Sequence, residues 1–150
     1  MRFAPHMDIA LAEARAAFAR AETPVGAAIV DPRVDRVIAQ AGNRTRELHD
    51  PTAHAEMLAI RAACAELGSE RLTGLDLYVT LEPCAMCAAA IAAARVSRLL
   101  YGAADPKSGG VEHGARVFAH RQAHHRPEVY GGIAERESSA LLRAFFAERR

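Results

Sequence analysis

The chain has little of what secreted, membrane-bound or modular proteins rely on. Its 150 residues include three cysteines, too few and too odd in number for a disulfide scaffold. The amino-terminal stretch breaks its apolar residues with Asp8, Glu13, Arg15 and Arg20, so it lacks the unbroken run of a signal peptide or membrane span. Internal repeats, linker-like segments and low-complexity tracts are missing too. These absences lead us to expect a soluble cytoplasmic protein forming one compact domain, residues 1–150, close to the commonest domain length. A strong charge bias is also lacking: 19 basic side chains face 18 acidic ones, for a formal net charge of +1. Overall charge therefore neither demands nor excludes a nucleic-acid partner. Arginines do gather toward the end, at Arg136, Arg143, Arg149 and Arg150, but Glu135, Glu137 and Glu148 interleave with them.

Hydrophobic residues make up 51% of the chain, and their spacing divides it into elements. Ile9, Leu11, Ala14, Ala17 and Phe18 recur at helical intervals, predicting a helix over residues 6–21 that Pro24 closes. Apolar runs at 25–30 and 34–41, separated by Asp31-Pro32, predict two strands joined as a hairpin. A polar, turn-rich loop follows at 42–51. Thr52 is placed to cap a helix carrying His54, Glu56, Met57, Leu58, Ile60 and Cys64 and ending near Gly68. A third strand is expected at 75–81. Pro83 stands where a helix takes its first residue, and the alanine-rich segment 84–95 runs as a second core helix into a fourth strand at 98–101. After a loop at 102–114 come a short helical or irregular piece near 115–119, a brief strand at 128–130 and a last helix from about 133 to 149. Helices between strands require crossovers and some parallel pairing, so the expected fold is α/β, a three-layer α/β/α sandwich around a mixed five-stranded sheet.

Two short patterns carry chemistry: His54-Ala55-Glu56 and Pro83-Cys84-Ala85-Met86-Cys87. Cys84 and Cys87 are three apart, so both thiols face one side of a helix's first turn, where the helix amino terminus favours the thiolate a metal needs. His54 supplies a nitrogen from the facing helix. Three ligands of this kind suit Zn2+, and a catalytic zinc keeps its fourth position for water. Iron or cobalt accept similar ligands, so zinc is chosen on ligand type. Cys64 lies ten residues beyond His54 on the same helix, roughly 15 Å along its axis, and is read as a core residue. Glu56, two residues from a ligand, is the candidate to move protons, although an acidic residue in a first helical turn is also what the helix dipole favours. Asn43, between Gly42 and Arg44, is first of all a turn residue, and so is Asp105 before Pro106. His113, His120, His124 and His125 read as loop histidines.

H-x-E followed by P-C-x-x-C is the signature of the cytidine deaminase superfamily, which this chain resembles. The strings His49 to Glu56 and Leu77 to Cys87 are similar to those of bacterial tRNA-specific adenosine deaminases, as are Pro24-Val25-Gly26-Ala27, Gly42-Asn43-Arg44 and Asp105 to Gly109. The likeness runs from the first helix to Phe145-Phe146. It departs at Ala104 and Pro106 and is loose over 111–127. The resemblance implies a homodimer with one zinc per subunit, acting on a tRNA anticodon loop and turning a flipped-out wobble adenosine into inosine. It further implies that Asn43 contacts the base, that the backbone near Ala55 and Leu81 shapes the pocket, and that Asp105 lies near the sugar. Phe146, Arg149 and Arg150 then meet the tRNA. Two alternatives stay open: a deaminase of a free nucleobase or nucleoside on the same zinc chemistry, and a zinc-stabilised module that binds RNA without turning it over, against which Glu56 counts.

Overall fold

In the computed structural model, which describes residues 4–149, four helices and five strands follow in the order α1 (Ala4–Ala19), β1 (Gly26–Asp31), β2 (Arg36–Gly42), α2 (Ala55–Leu67), β3 (Asp76–Leu81), α3 (Ala85–Ala93), β4 (Arg98–Ala103), β5 (Glu128–Tyr130) and α4 (Glu135–Glu148), with a 3-10 turn at Val117–Ala119 before β5. The strands form one mixed sheet in the order β2-β1-β3-β4-β5. β1 pairs antiparallel with both β2 and β3, while β3, β4 and β5 run parallel. This is the three-layer arrangement expected from the alternation of elements.

Side chains alternate across a strand, and that period sorts the core into two halves. Ala27, Ile29, Leu77, Val79, Leu99 and Tyr101 pack with Ala59, Ala63, Ala88 and Ile91 of α2 and α3. The intervening Ala28, Val30, Tyr78 and Leu100 point the other way, onto Met7, Ala10 and Leu11 of α1, with Leu141 of α4 against the same cluster. Burying each large aliphatic side chain contributes about 1.5–3 kcal/mol. Alanine dominates the helix faces, which lets the helices sit close to the sheet. Gly26 shows how close: a Cβ there would lie 1.9 Å from the Ala10 carbonyl oxygen and 2.5 Å from the Ala14 nitrogen.

Several element ends differ from the sequence reading. Thr52 does not cap α2; its backbone N–H and its hydroxyl both donate to Asp50 Oδ1, at 2.8 and 2.7 Å, which closes a turn and leaves His54 as the cap residue. Pro83 is not the first helical residue of α3, because Cys84 takes the cap and the helix begins at Ala85. β2 starts at Arg36, not at Val34, since residues 32–35 form the hairpin turn, with Asp35 at φ 52 and Arg33 folded back onto Asp31. Ile133 precedes α4, which starts after Ala134 in the left-handed region.

Candidate active site

β3 and β4 end side by side, Leu81 opposite Ala103, and β1, running the other way, begins at the same edge, where Gly26 pairs with Gly42 at the end of β2. In open α/β sheets ligands settle at the carboxyl ends of the strands. A cavity of about 200 Å³ opens here, lined by His54, Glu56 and Cys84 from the helix starts and by Asn43, Leu81 and Asp105 from strand ends and loops, with Thr23, Val25, Thr45, Glu82 and Ser108 completing it. Drug-sized sites run to about 300–1,000 Å³, so this one suits a single flat ring system.

His54 and Cys84 occupy equivalent places. Each is the cap residue of its helix with an extended backbone, φ −70 and ψ 154 for His54, φ −71 and ψ 173 for Cys84, and neither side chain caps its own helix. A cap residue ordinarily spends its side chain on the helix's free N–H groups. Here both side chains are turned toward each other instead. His54 Nδ1 lies 3.6 Å from Cys84 Sγ and 3.4 Å from Cys87 Sγ, and the three donor atoms all lie within 4.8 Å of one another. A tetrahedral zinc with Zn–S near 2.3 Å and Zn–N near 2.0 Å separates nitrogen from sulfur by about 3.5 Å. The donor set therefore fits zinc in both chemistry and spacing, with three protein ligands and room for a fourth from the cavity.

Electrostatics at the three donors reflect their crowding. Cys84 takes a hydrogen bond from the Cys87 thiol which, against the cost of burial and aided by His54, pulls it down to about 4. Cys87 is driven up because it donates to Cys84 and is buried. His54 is raised by its contact with Cys84. Glu56, in the first turn of α2 and 4% exposed, is pushed up to about 7 by burial. A bound divalent cation favours thiolate, neutral imidazole and carboxylate, opposing the upward shifts of Cys87, His54 and Glu56 and adding to the downward one of Cys84.

The remaining sequence candidates do not all gather at the cavity. Asn43, Leu81 and Asp105 line the cavity with the donors. Ala55, at the start of α2, is fully buried with its side chain in the core, between His54 and Glu56. Phe146 and Arg149 stand apart, at the end of α4: Phe146 is 51% exposed, and the Arg149 guanidinium sits 3.6 Å above the ring of Phe145, which packs edge-on against Phe18 of α1. Arg150 lies outside the described residues.

Two buried carboxylates escaped the sequence reading. Glu22, after α1, accepts from Asn43 Nδ2 at 3.2 Å and from the backbone N–H groups of Arg46 and Glu47 at 3.2 and 2.8 Å. Asn43 Nδ2 also donates to Thr45 Oγ1, which fixes its amide at the cavity wall. Glu82 does the same for the opposite wall: Oε1 accepts from the N–H of Asp105 at 3.0 Å, and Oε2 from those of Val111, Glu112 and His113 at 3.2, 2.9 and 3.1 Å. Burial opposes the charge on Glu82, yet these backbone bonds and His113 keep it below the usual carboxylate range. Their partners lie 21 to 31 residues away, so no local pattern announces them.

Residues 4–103 match the model of the cytidine and deoxycytidylate deaminase zinc-binding region. A protein of Agrobacterium fabrum described as tRNA-specific adenosine deaminase is 61% identical over 145 residues, covering 96% of this chain and 93% of that one. One of the same description from Bacillus subtilis is 41% identical over 145 residues, covering 97% and 89%. Among solved structures, one from a study of A-to-I editing by tRNA:A34 deaminases at the wobble position superposes with a TM-score of 0.89 at 59% identity, covering 92% of this chain and 99% of that one. A guanine deaminase from Nitrosomonas europaea superposes at 0.82 with 25% identity, covering 95% and 83%. With its donor triad at the paired starts of α2 and α3 and two thirds of its length matched, the chain belongs to the zinc-binding cytidine and deoxycytidylate deaminase family.

Proposed function

We propose that this chain hydrolyses the exocyclic amine of adenosine at the wobble position of a tRNA anticodon, giving inosine and ammonia. The observation that carries the reading is the convergence of His54, Cys84 and Cys87 on one cavity wall beside a buried Glu56, in a chain so close to proteins described as tRNA-specific adenosine deaminases. The zinc ion held by the triad supplies, when bound, an attacking hydroxide at neutral pH. Glu56 takes one proton from the water and hands it to the ring nitrogen, then takes the second from the hydroxyl now on the ring carbon and hands it to the departing amine, so one carboxyl serves as base and acid in turn. Its burial opposes the cation's pull toward the carboxylate, which suits a group that must both accept and return a proton. Asn43 and the backbone about Ala55 and Leu81 hold the base, and Asp105 lies toward the sugar. The base enters flipped out of its loop, since a cavity of this size admits the ring and leaves the phosphates outside. Phe146, Arg149 and Arg150 then meet the rest of the anticodon arm.

The working unit is a homodimer with one zinc per subunit, each chain a single domain, in the cytoplasm where tRNA is modified. A deaminase of free guanine is the second reading, because the guanine deaminase fold superposes over most of the chain. The test is product formation on an anticodon stem-loop with a wobble adenosine, run beside adenosine, cytidine, guanine and cytosine, with Glu56→Ala as control. Inosine in the stem-loop alone, abolished in Glu56→Ala with zinc retained, is expected. Ammonia from guanine with the stem-loop untouched would discard the tRNA, and full activity in Glu56→Ala would discard the proton shuttle.

A further inference from the structure

Glu82 lies between the last residue of β3 and the proline before Cys84, and its side chain has no contact with solvent. Placing a carboxylate there without partners would cost several kcal/mol. Instead it collects four backbone N–H groups and the imidazole of His113, Nδ1 at 2.7 Å from Oε1. All five belong to one loop, residues 105–113, whose Asp105 and Ser108 line the cavity. The loop is built around this anchor. A Cβ on Gly109 would lie 2.5 Å from the Asp105 carbonyl oxygen and 2.6 Å from the Glu82 carboxylate carbon, and one on Gly110 would meet the Ala85 nitrogen at 2.5 Å. The N–H of Gly110 donates to the Pro83 carbonyl at 2.8 Å, and the N–H of Ser108 to Asp105 Oδ1 at 2.9 Å. The loop backbone thus rests directly on the start of α3, where the thiol donors sit.

We propose that Glu82 is a positioning residue, which locks the 105–113 loop to the metal-binding end of α3 and so sets how tightly the cavity holds its nucleotide. It touches neither the reacting atoms nor the metal donors; it acts through Asp105 and Ser108. The consequence for catalysis rests on the RNA reading above, whereas the consequence for the loop does not. Glu82→Gln is the informative change, because a carboxamide cannot serve both sets of donors. With its oxygen toward residues 111–113 its NH2 confronts the Asp105 N–H, and with the amide reversed it confronts three N–H groups. Either way the loop loses an acceptor at constant side-chain volume.

The experiment compares zinc-loaded wild type, Glu82→Gln and Gly109→Ala on the wobble-adenosine stem-loop, with zinc content and amide hydrogen exchange measured on each. Gly109→Ala crowds both the Asp105 carbonyl and the Glu82 carboxylate and so loosens the loop from its anchor without altering Glu82, and serves if Glu82→Gln does not fold. The expected result is one zinc per chain in each variant, faster exchange across 105–113, a KM raised about tenfold or more, as for loss of one charge-assisted hydrogen bond, and a kcat within about threefold of wild type. A folded, zinc-loaded variant with unchanged KM and unchanged loop exchange overturns the proposal, as does a fall in kcat at constant KM or loss of zinc with the loop still ordered. A wild type that leaves the stem-loop untouched sinks the RNA reading instead, and the exchange comparison still decides the anchor.

Discussion

Arg98 and Asp76 face each other on the first rung of the parallel β3–β4 pair and join through two hydrogen bonds, Nε to Oδ1 at 2.8 Å and Nη2 to Oδ2. Asp76 is 1% exposed, at the end of the sheet away from the metal donors. Removing the guanidinium strands a buried carboxylate, so Arg98→Met is expected to cost about 3 kcal/mol. That lowers Tm by roughly 6–12 °C in a chain of this length, while kcat on the stem-loop at low temperature stays near wild type. Calorimetry on the single variant and on Arg98→Met/Asp76→Leu checks it, the double variant recovering most of the loss.

Metal removal separates a catalytic ion from a structural one. The donors converge while α2 and α3 are complete, and both helices are packed into the larger core. Chelation is therefore expected to abolish deamination and lower Tm, by up to about 4 kcal/mol of ligand-linked stability, without loss of helical circular dichroism at 25 °C. Added zinc restores activity. Unfolding on chelation would mean that the ion holds the fold together.

Glu22→Gln tests the wall opposite Glu82. One amide cannot accept from Asn43 Nδ2 and from the N–H groups of Arg46 and Glu47 together. A buried donor left without a partner costs about 1–3 kcal/mol, so the variant is expected to lose several degrees of Tm and to bind the stem-loop about tenfold more weakly, measured by fluorescence anisotropy at fixed salt.

Gly26→Ala tests the seat of α1. Its methyl would need the space of the Ala10 carbonyl and the Ala14 nitrogen, which is backbone and cannot swing aside. We expect a loss of at least about 3 kcal/mol and recovery of the variant mainly in the insoluble fraction. Soluble protein with wild-type Tm would show that α1 sits higher on the sheet.

How much of this was legible beforehand follows from range. β3 and β4 were readable because each has an apolar centre, Leu77-Tyr78-Val79 and Leu99-Leu100-Tyr101, buried on both faces, and the His54, Glu56, Cys84, Cys87 set because each half is local. α2 and α3 start two residues beyond the places that cap preference gives them from Thr52 and Pro83, because the capping positions belong to His54 and Cys84, whose side chains serve each other. Asn43 and Asp105 read as turn residues; in the structure each lies between a strand end and the turn that follows, at 45–49 and 106–108, and what places them at the cavity is Glu22 and Glu82. Those carboxylates look like ordinary surface acids in sequence, since their partners come from segments brought near only by the finished sheet.

The β1–β2 hairpin turn, residues 32–35, projects from the edge of the sheet farthest from His54 and Cys84, with Val34 two-thirds exposed. That separation makes the turn a natural attachment point. A reporter peptide or fusion partner spliced between Arg33 and Val34 enters at an exposed loop tip, at the opposite pole from the catalytic mouth, so a large cargo carried there leaves the approach of an RNA hairpin unobstructed.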